Sequence, residues 1–392
     1  MRQRLTALML LPVLMSALVL TGCWDRIEVN DIAIVTTTSF DLEEDGRYRV
    51  AVQVPLPGQL GGSSGGGGGT SGTKPFYVDS EKGDTIREAV QHLQSRMSRR
   101  LFFSHRRVMV IGEELAKSGM REVFDVTSRL PENRLTANVL IAKGKGIDLL
   151  KAQPQFEMYS GEAMREILES YAVFNPSQKD IAHALSQIGA DPILPLIEPA
   201  TSTGGEKRKE VHLSGYAQFR DDKMIGTITP AQAEGVAWLR KEFRPYEKTL
   251  NMGKGKLVVR LYQGESKVTP EIKPDHVHFN VEIEAEATVI EAVEVEDLGR
   301  SDMIEKVERE LSQAVAQAVL ESAELVKERN SDIATLGINL SRLKPRVWNE
   351  RLKWNWHEGE LGKTTFAVKA NCQVTRLGQI TENIARKETV TD

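Results

Sequence analysis

From Asp275 to Val293 the chain reads DHVHFNVEIEAEATVIEAV, and every second residue from Val277 through Phe279, Val281, Ile283, Ala285 and Ala287 to Val289 is apolar. A period of two sustained this long commits the segment to one β-strand with a buried face and a solvated one. Such a strand needs partners, so the C-terminal half must be built around a sheet. KGKLVVRLYQGES, at 254–266, reads as a neighbouring strand, and TFAVKANCQVTRLGQI, at 365–380, as a closing strand pair. Between them, SDMIEKVERELSQAVAQAVLESAELVKERN offers Ser301 or Asp302 as an N-cap and a stripe of Ile304, Val307, Leu311, Val315, Ala318 and Leu325. That is an amphipathic helix of about 42 Å at 1.5 Å per residue. One long helix on a mostly antiparallel sheet is an α+β arrangement.

Upstream the pattern changes. DIAIVTTTSFDLEEDGRYRVAVQV reads as two strands joined at Asp45-Gly46, the second placing Tyr48, Val50, Val52 and Val54 on one face. Residues 61–72, GGSSGGGGGTSG, cannot bury enough apolar surface to fold and form a loop within the first domain. Helices and strands then alternate: helices through DTIREAVQHLQSRM, EELAKSG, a stretch ending near TSRLPE, SGEAMREILESYAV and SQKDIAHALSQIG, and strands through RRVMVIG and LTANVLIAKG. This predicts a mixed α/β layer. DPILPLIEPATSTGGEKRKE, rich in proline and then polar, reads as a linker. HLSGYAQFRDDKMIGTITP reads as a hairpin turning at Asp221-Asp222, and QAEGVAWLRK as a short helix. The expected division is a leader at 1–22, an N-terminal α/β domain at 23–200, a linker at 201–210 and a C-terminal domain at 211–385, divisible into 211–274 and 275–385. The fold class is thus mixed α/β followed by α+β.

The first residues fix where the chain works. Arg2 and Arg4 precede an apolar run from Leu5 to Leu20 that is interrupted by Pro12 and is short for a membrane span, the layout of a cleavable signal peptide. It ends Leu20-Thr21-Gly22-Cys23, which resembles the bacterial lipobox. That resemblance implies cleavage after Gly22 and a diacylglyceryl group with fatty chains on Cys23. Two acyl chains anchor a protein stably where one holds it only marginally. No other segment approaches a span, so a channel or transporter activity would have to belong to a partner. Without the leader the formal charge is 49 minus 55, or −6, which argues against a nucleic-acid protein.

Motifs for chemistry are sparse. The seven histidines form no H-E-x-x-H, and Cys23 and Cys372 lie too far apart in sequence for a zinc cluster by spacing. His276 and His278 share a polar strand face with Glu282, a solvated face lacking a further ligand. G-x-S-x-G at 61–65 belongs to the glycine tract, and LGKTT at 361–365 lacks the first glycine of a P-loop. No catalytic, cofactor or metal residues are assigned. Cys372 falls on an apolar strand face as a small core residue. Two features suggest a partner or lipid surface. Arg99, Arg100, Arg106 and Arg107, with Arg96 and His105, concentrate positive charge that would meet anionic lipid if it faced a membrane. Trp348, Trp354 and Trp356 fall within nine residues and serve either an interface or the core into which the segment leads.

GCWDRIEVNDIAIV after a lipobox, LFFSHRRVMVIGEELAKSGM, SGYAQFRDDKMIGTITPAQAEGVAWL, and SDIATLGINLSRLKPRVWNERLKWNW running to VTRLGQI resemble, in order, the signatures of the Ger(x)C family. These are C-subunit lipoproteins of nutrient germinant receptors in endospore-forming bacteria. The resemblance implies a multi-domain α/β fold and a non-enzymatic subunit tethered to the outer face of the spore inner membrane. It also implies work beside an A subunit and a polytopic B subunit, in a complex that converts nutrient binding into ion release. Cys23, the lipidation site, is the one residue carried over with a defined job; the glycine tract is longer than the family pattern. The competing reading is the solute-binding lipoprotein of an importer, which has two lobes of alternating strands and helices; an envelope hydrolase would need a nucleophile or metal set.

Overall fold

The computed structural model describes residues 28–56, 74–130, 132–204, 209–293 and 298–377. The leader, Cys23 and the glycine tract 61–72 lie outside the described residues.

An eight-stranded mixed sheet organises the first part. Its core is four parallel strands, β2 (Thr37–Leu42), β6 (Val108–Gly112), β7 (Asn138–Ala142) and β8 (Ile193–Thr201). β3 (Tyr48–Pro55) and β4 (Phe76–Gly83) extend it antiparallel beyond β2, and β9 (Lys209–Arg220) and β10 (Lys223–Ile228) extend it beyond β8. Parallel strands need crossovers, and helices cover both faces. On one face α1 (Ile86–Ser95), α2 (Glu113–Ser118), α3 (Arg121–Arg129) and α6 (Gln178–Ser186) pack on Phe40, Met109, Ile111, Val139 and Ile141. On the other, α4 (Gly146–Leu150) and α5 (Ser160–Ser170) pack on Ala51, Val108, Val110, Leu140 and Ala142. Every residue of β6 is buried as a result.

Helix starts follow the residues. Thr85 accepts from the Glu88 N–H at the head of α1, and Ser177 and Asp180 form a capping box on α6. Gln53 on β3 donates to the Leu150 carbonyl at 2.8 Å and accepts from the Gly161 N–H at 3.0 Å, joining the end of α4 to the start of α5. A further parallel pair, β1 (Ile32–Ile34) with β5 (Arg100–Phe102), seats the start of the described chain beside Arg100.

The second sheet runs β11 (Tyr246–Met252), β12 (Gly255–Ile272), β13 (Val277–Val293), β14 (Thr365–Arg376), antiparallel except for β13 with β14. The alternation is realised: all seven apolar residues from Val277 to Val289 on that face are buried, while Ile290, Ala292 and Val293 at the end of β13 are exposed. α8 (Ser301–Glu328) lies on that face through Met303, Val307, Leu311, Val315, Val319 and Val326. Ile304 and Ala318, placed in the stripe by sequence, sit half-buried at its margin. The cap position is Arg300, one residue before Ser301 and two before Asp302. α7 (Pro230–Arg240) crosses α8 at Gly235, where an added Cβ would lie 2.4 Å from the Ala318 carbonyl oxygen. No helix among the described residues is long and apolar enough to cross a membrane.

The fold class expected from the sequence is the one found. Three local expectations change. DPILPLIEPAT is not a linker but β8, whose pairing with β7 involves only Leu196 and Ile197, so neither Pro195 nor Pro199 has to donate to that neighbour. β8 then pairs with β9 from Ile193↔Gln218 to Thr201↔Lys209, across the expected 201–210 division, and the 212–230 hairpin completes the first sheet. TFAVKANCQVTR is one strand, not a pair, because its single partner β13 runs parallel.

Candidate functional site

The two sheets meet at a buried polar joint. Asp191, just before β8, donates its N–H to the Asp332 carbonyl at 2.9 Å and accepts the Asp332 N–H at 2.6 Å. Its second carboxylate oxygen accepts the Asp221 N–H of the β9–β10 turn at 2.7 Å. Asp332 stands ahead of α9 (Leu336–Leu343) and accepts the Leu336 N–H, the Gly337 N–H and the Trp356 Nε1–H, at 2.8, 2.8 and 2.9 Å. Beside it, Gly189 and Gly337 touch backbone to backbone: a Cβ on Gly337 would lie 2.5 Å from the Gly189 Cα.

Burial raises both carboxyls, that of Asp332 to about 6, against the backbone N–H groups that favour its charged form. His357 Nε2 lies 3.6 Å from Asp191 and lowers it in turn. Each carboxylate oxygen already holds an N–H, and Asp332 has no exposed surface. The arrangement therefore clamps chain segments together and is not built to exchange protons with a substrate.

The sequence-predicted residues separate into two groups. Arg99 is half-buried and Arg100 and Arg107 are exposed, paired with Glu132 and Glu162 respectively. Arg106 is a correction: it is buried, donating to Gln178 Oε1 at 3.2 Å, and no partner or lipid reaches it. Trp354 is 71% exposed with the Lys353 ammonium 4.8 Å from its ring. Trp348 and Trp356 are also corrections to a surface role: both are buried, edge to face at 5.5 Å, in the wall of the joint. Cys372 is buried, and burial pushes its thiol up to about 11. Cys23 lies outside the described residues. Among the described residues no three His, Cys, Asp or Glu side chains converge as a metal site. His276 and His278 contact Asp275 and Thr365 at 2.7 Å.

Two adjoining clefts share Val173, Phe243 and Arg244, and the larger borders the joint. The larger, about 550 Å³, runs from α6 to Arg240 and α9, with Asp191 in its wall. The smaller, about 350 Å³, lies between the end of α5, α7 and β11 and holds Glu234, Trp238, Phe243 and Tyr246. Neither was read from the sequence. Part of each falls in the quoted blocks: Glu234 and Trp238 of the smaller cleft within 214–239, and Asp332, Gly337, Trp348 and Trp356 of the joint within 331–356, whereas Asp191, Gly189, Phe243 and Tyr246 lie outside them.

Comparison with known proteins falls on both halves. The family model for the spore germination protein N-terminal domain matches residues 25–199, and the one for the spore germination B3/GerAC-like C-terminal domain matches residues 214–378. Among curated proteins, YfkR of Bacillus subtilis (strain 168) is 34% identical over 89% of this chain and 91% of its own length. Spore germination protein KC of the same organism is 27% identical over 93% of this chain and 94% of its own. The crystal structure of the GerBC protein aligns with a TM-score of 0.51 at 14% identity, covering 86% of this chain and 96% of that one, which supports the fold.

Proposed function

Because the chain belongs to the GerAC-like spore germination family, as the Ger(x)C resemblance of its sequence anticipates, we propose that it is the lipid-anchored, non-enzymatic C subunit of a germinant receptor. The observation that carries the reading is the joint match: both family segments align in order, behind a leader that ends in a lipobox. In this reading Cys23 is cleaved free after Gly22, takes two acyl chains and holds the protein on the outer face of the spore inner membrane. There it acts by contact with the A and B subunits during the response to nutrient. The solute-binding alternative loses support from the second sheet, which is not a lobe of alternating strands and helices.

Arg99, Arg100 and Arg107 are the proposed lipid-facing residues, with Trp354 a proposed partner contact. The register supports this, since Ile32 pairs with Arg100 and five residues from Cys23 to Glu28 span at most about 17 Å. An anchor at Cys23 would hold that end of the molecule within reach of phospholipid headgroups.

The test is a nutrient dose-response of spore germination for wild type, Cys23→Ala and a deletion, each scored for protein in the inner-membrane fraction. Cys23→Ala is expected to leave the membrane or remain unprocessed, with loss of the nutrient response. Full membrane retention of a cleaved Cys23→Ala protein would overturn the anchor. A normal response in the deletion strain, with no paralogue to substitute, would overturn the receptor role.

A further inference from the structure

We propose that the smaller cleft binds a small organic ammonium ion, with the Glu234 carboxylate as counter-charge and the rings of Phe243 and Tyr246 beside it. Glu234 lines the cleft from α7, one turn before Trp238, so both project from the same helix face. It is half-buried and has no hydrogen-bond or ion-pair partner among the described residues. Burial pushes its carboxyl up to about 7, with Lys248 acting against that rise, the state of a carboxylate lacking a partner to hold it charged.

Aromatic rings line the same cleft. Phe243 lies 4.8 Å from the Trp238 ring and 6.3 Å from Tyr246, whose hydroxyl accepts the Trp238 Nε1–H at 3.2 Å. Those contacts fix the rings before any ligand arrives. Two guanidiniums border this space: Arg244 Nη1 donates to the Ala172 carbonyl at 3.1 Å, and Arg260 is exposed on β12; the charge that acts on Glu234 is that of Lys248, not of either arginine. An unpaired carboxylate sharing a recess with fixed π-surfaces selects a cation with an apolar body, since the ammonium meets the carboxylate and the ring quadrupoles together. This inference stands apart from the receptor-subunit reading, and its test uses no spores.

The test measures binding of butylammonium chloride and of 1-butanol, its uncharged match in length, to the full-length chain in detergent by ligand-detected NMR at pH 8. Butylammonium is expected to bind at least tenfold tighter than butanol. Glu234→Gln, which keeps shape and removes charge, is expected to abolish that preference. Phe243→Leu, which keeps bulk and removes the π-face, is expected to weaken butylammonium about threefold. Equal binding of the two probes by the wild-type chain would overturn the proposal whatever the variants do. An undiminished preference in folded Glu234→Gln, checked by near-UV circular dichroism, would overturn it equally.

Discussion

Gly235→Ala should destabilise the protein although alanine is the better helix former. In an unconstrained helix interior the change stabilises by about 1 kcal/mol, because glycine gives up more backbone freedom on folding. Here the added Cβ would lie 2.2 Å from Ser322 Oγ and 2.4 Å from the Ala318 carbonyl oxygen. The serine cannot simply rotate away, since its hydroxyl donates to the Gln232 and Ala318 carbonyls at 2.9 and 2.8 Å. The carbonyl belongs to the backbone of α8. Restoring an ordinary 3.4 Å contact from 2.4 Å requires the two helices to part by 1.0 Å at the crossing. α7 is held on its other contact too, where the Trp238 ring lies 2.3 Å from the position of a Cβ on Gly264. Forced overpacking of this kind costs about 3 kcal/mol at the upper end, and the helix preference returns about 1, leaving a net loss of about 2 kcal/mol. Urea unfolding followed by far-ultraviolet circular dichroism reads this as a lower midpoint at unchanged slope. A Gly235→Ala protein as stable as wild type, or more so, would refute the close crossing.

Two further outcomes follow from the joint. The Asp332 carboxyl releases its proton near 3.8 when unfolded and near 6 when folded, so the folded state binds the extra proton between those values and stability falls as pH rises through that window. The unfolding free energy of wild type minus that of Asp332→Asn should therefore drop by roughly 2 kcal/mol from pH 4 to pH 6 and level off only above about pH 7; a flat difference in urea titrations would contradict the buried carboxylate. Trp356→Ala should cost about 3–5 kcal/mol and Trp354→Ala less than about 0.5 kcal/mol, since one ring is fully buried and the other 71% exposed. Equal midpoints for the two variants would show the indoles to be wrongly assigned.

What could be read beforehand followed from how each element meets solvent. β13 and α8 each bury one side, so their periods of two and 3.6 survive in the sequence. β8 has no such trace: its first five residues are buried, and Pro195 and Pro199 imitate a linker. Arg106 looks like its basic neighbours because nothing local records the Gln178 that receives it. The tryptophans show the same ambiguity, since spacing puts Trp348, Trp354 and Trp356 together while packing buries two and leaves one in water. The joint was illegible for a simpler reason. Asp191 and Asp332 are 141 positions apart, and much of what they hold is backbone N–H, which carries no residue code.

The β8–β9 hairpin sets where relatives of this chain can exchange parts. The two family segments meet between residues 199 and 214, inside a run of strand pairing from Ile193 to Thr201. A crossover there would hand β9 and β10 to a foreign first half and require it to accept a borrowed edge, register and bulge included. A crossover after Ile228, at the turn into α7, would leave each sheet its own strands. Even then the hybrid inherits one obligation, because the Asp191 carboxylate from one parent must meet the Asp332 N–H from the other.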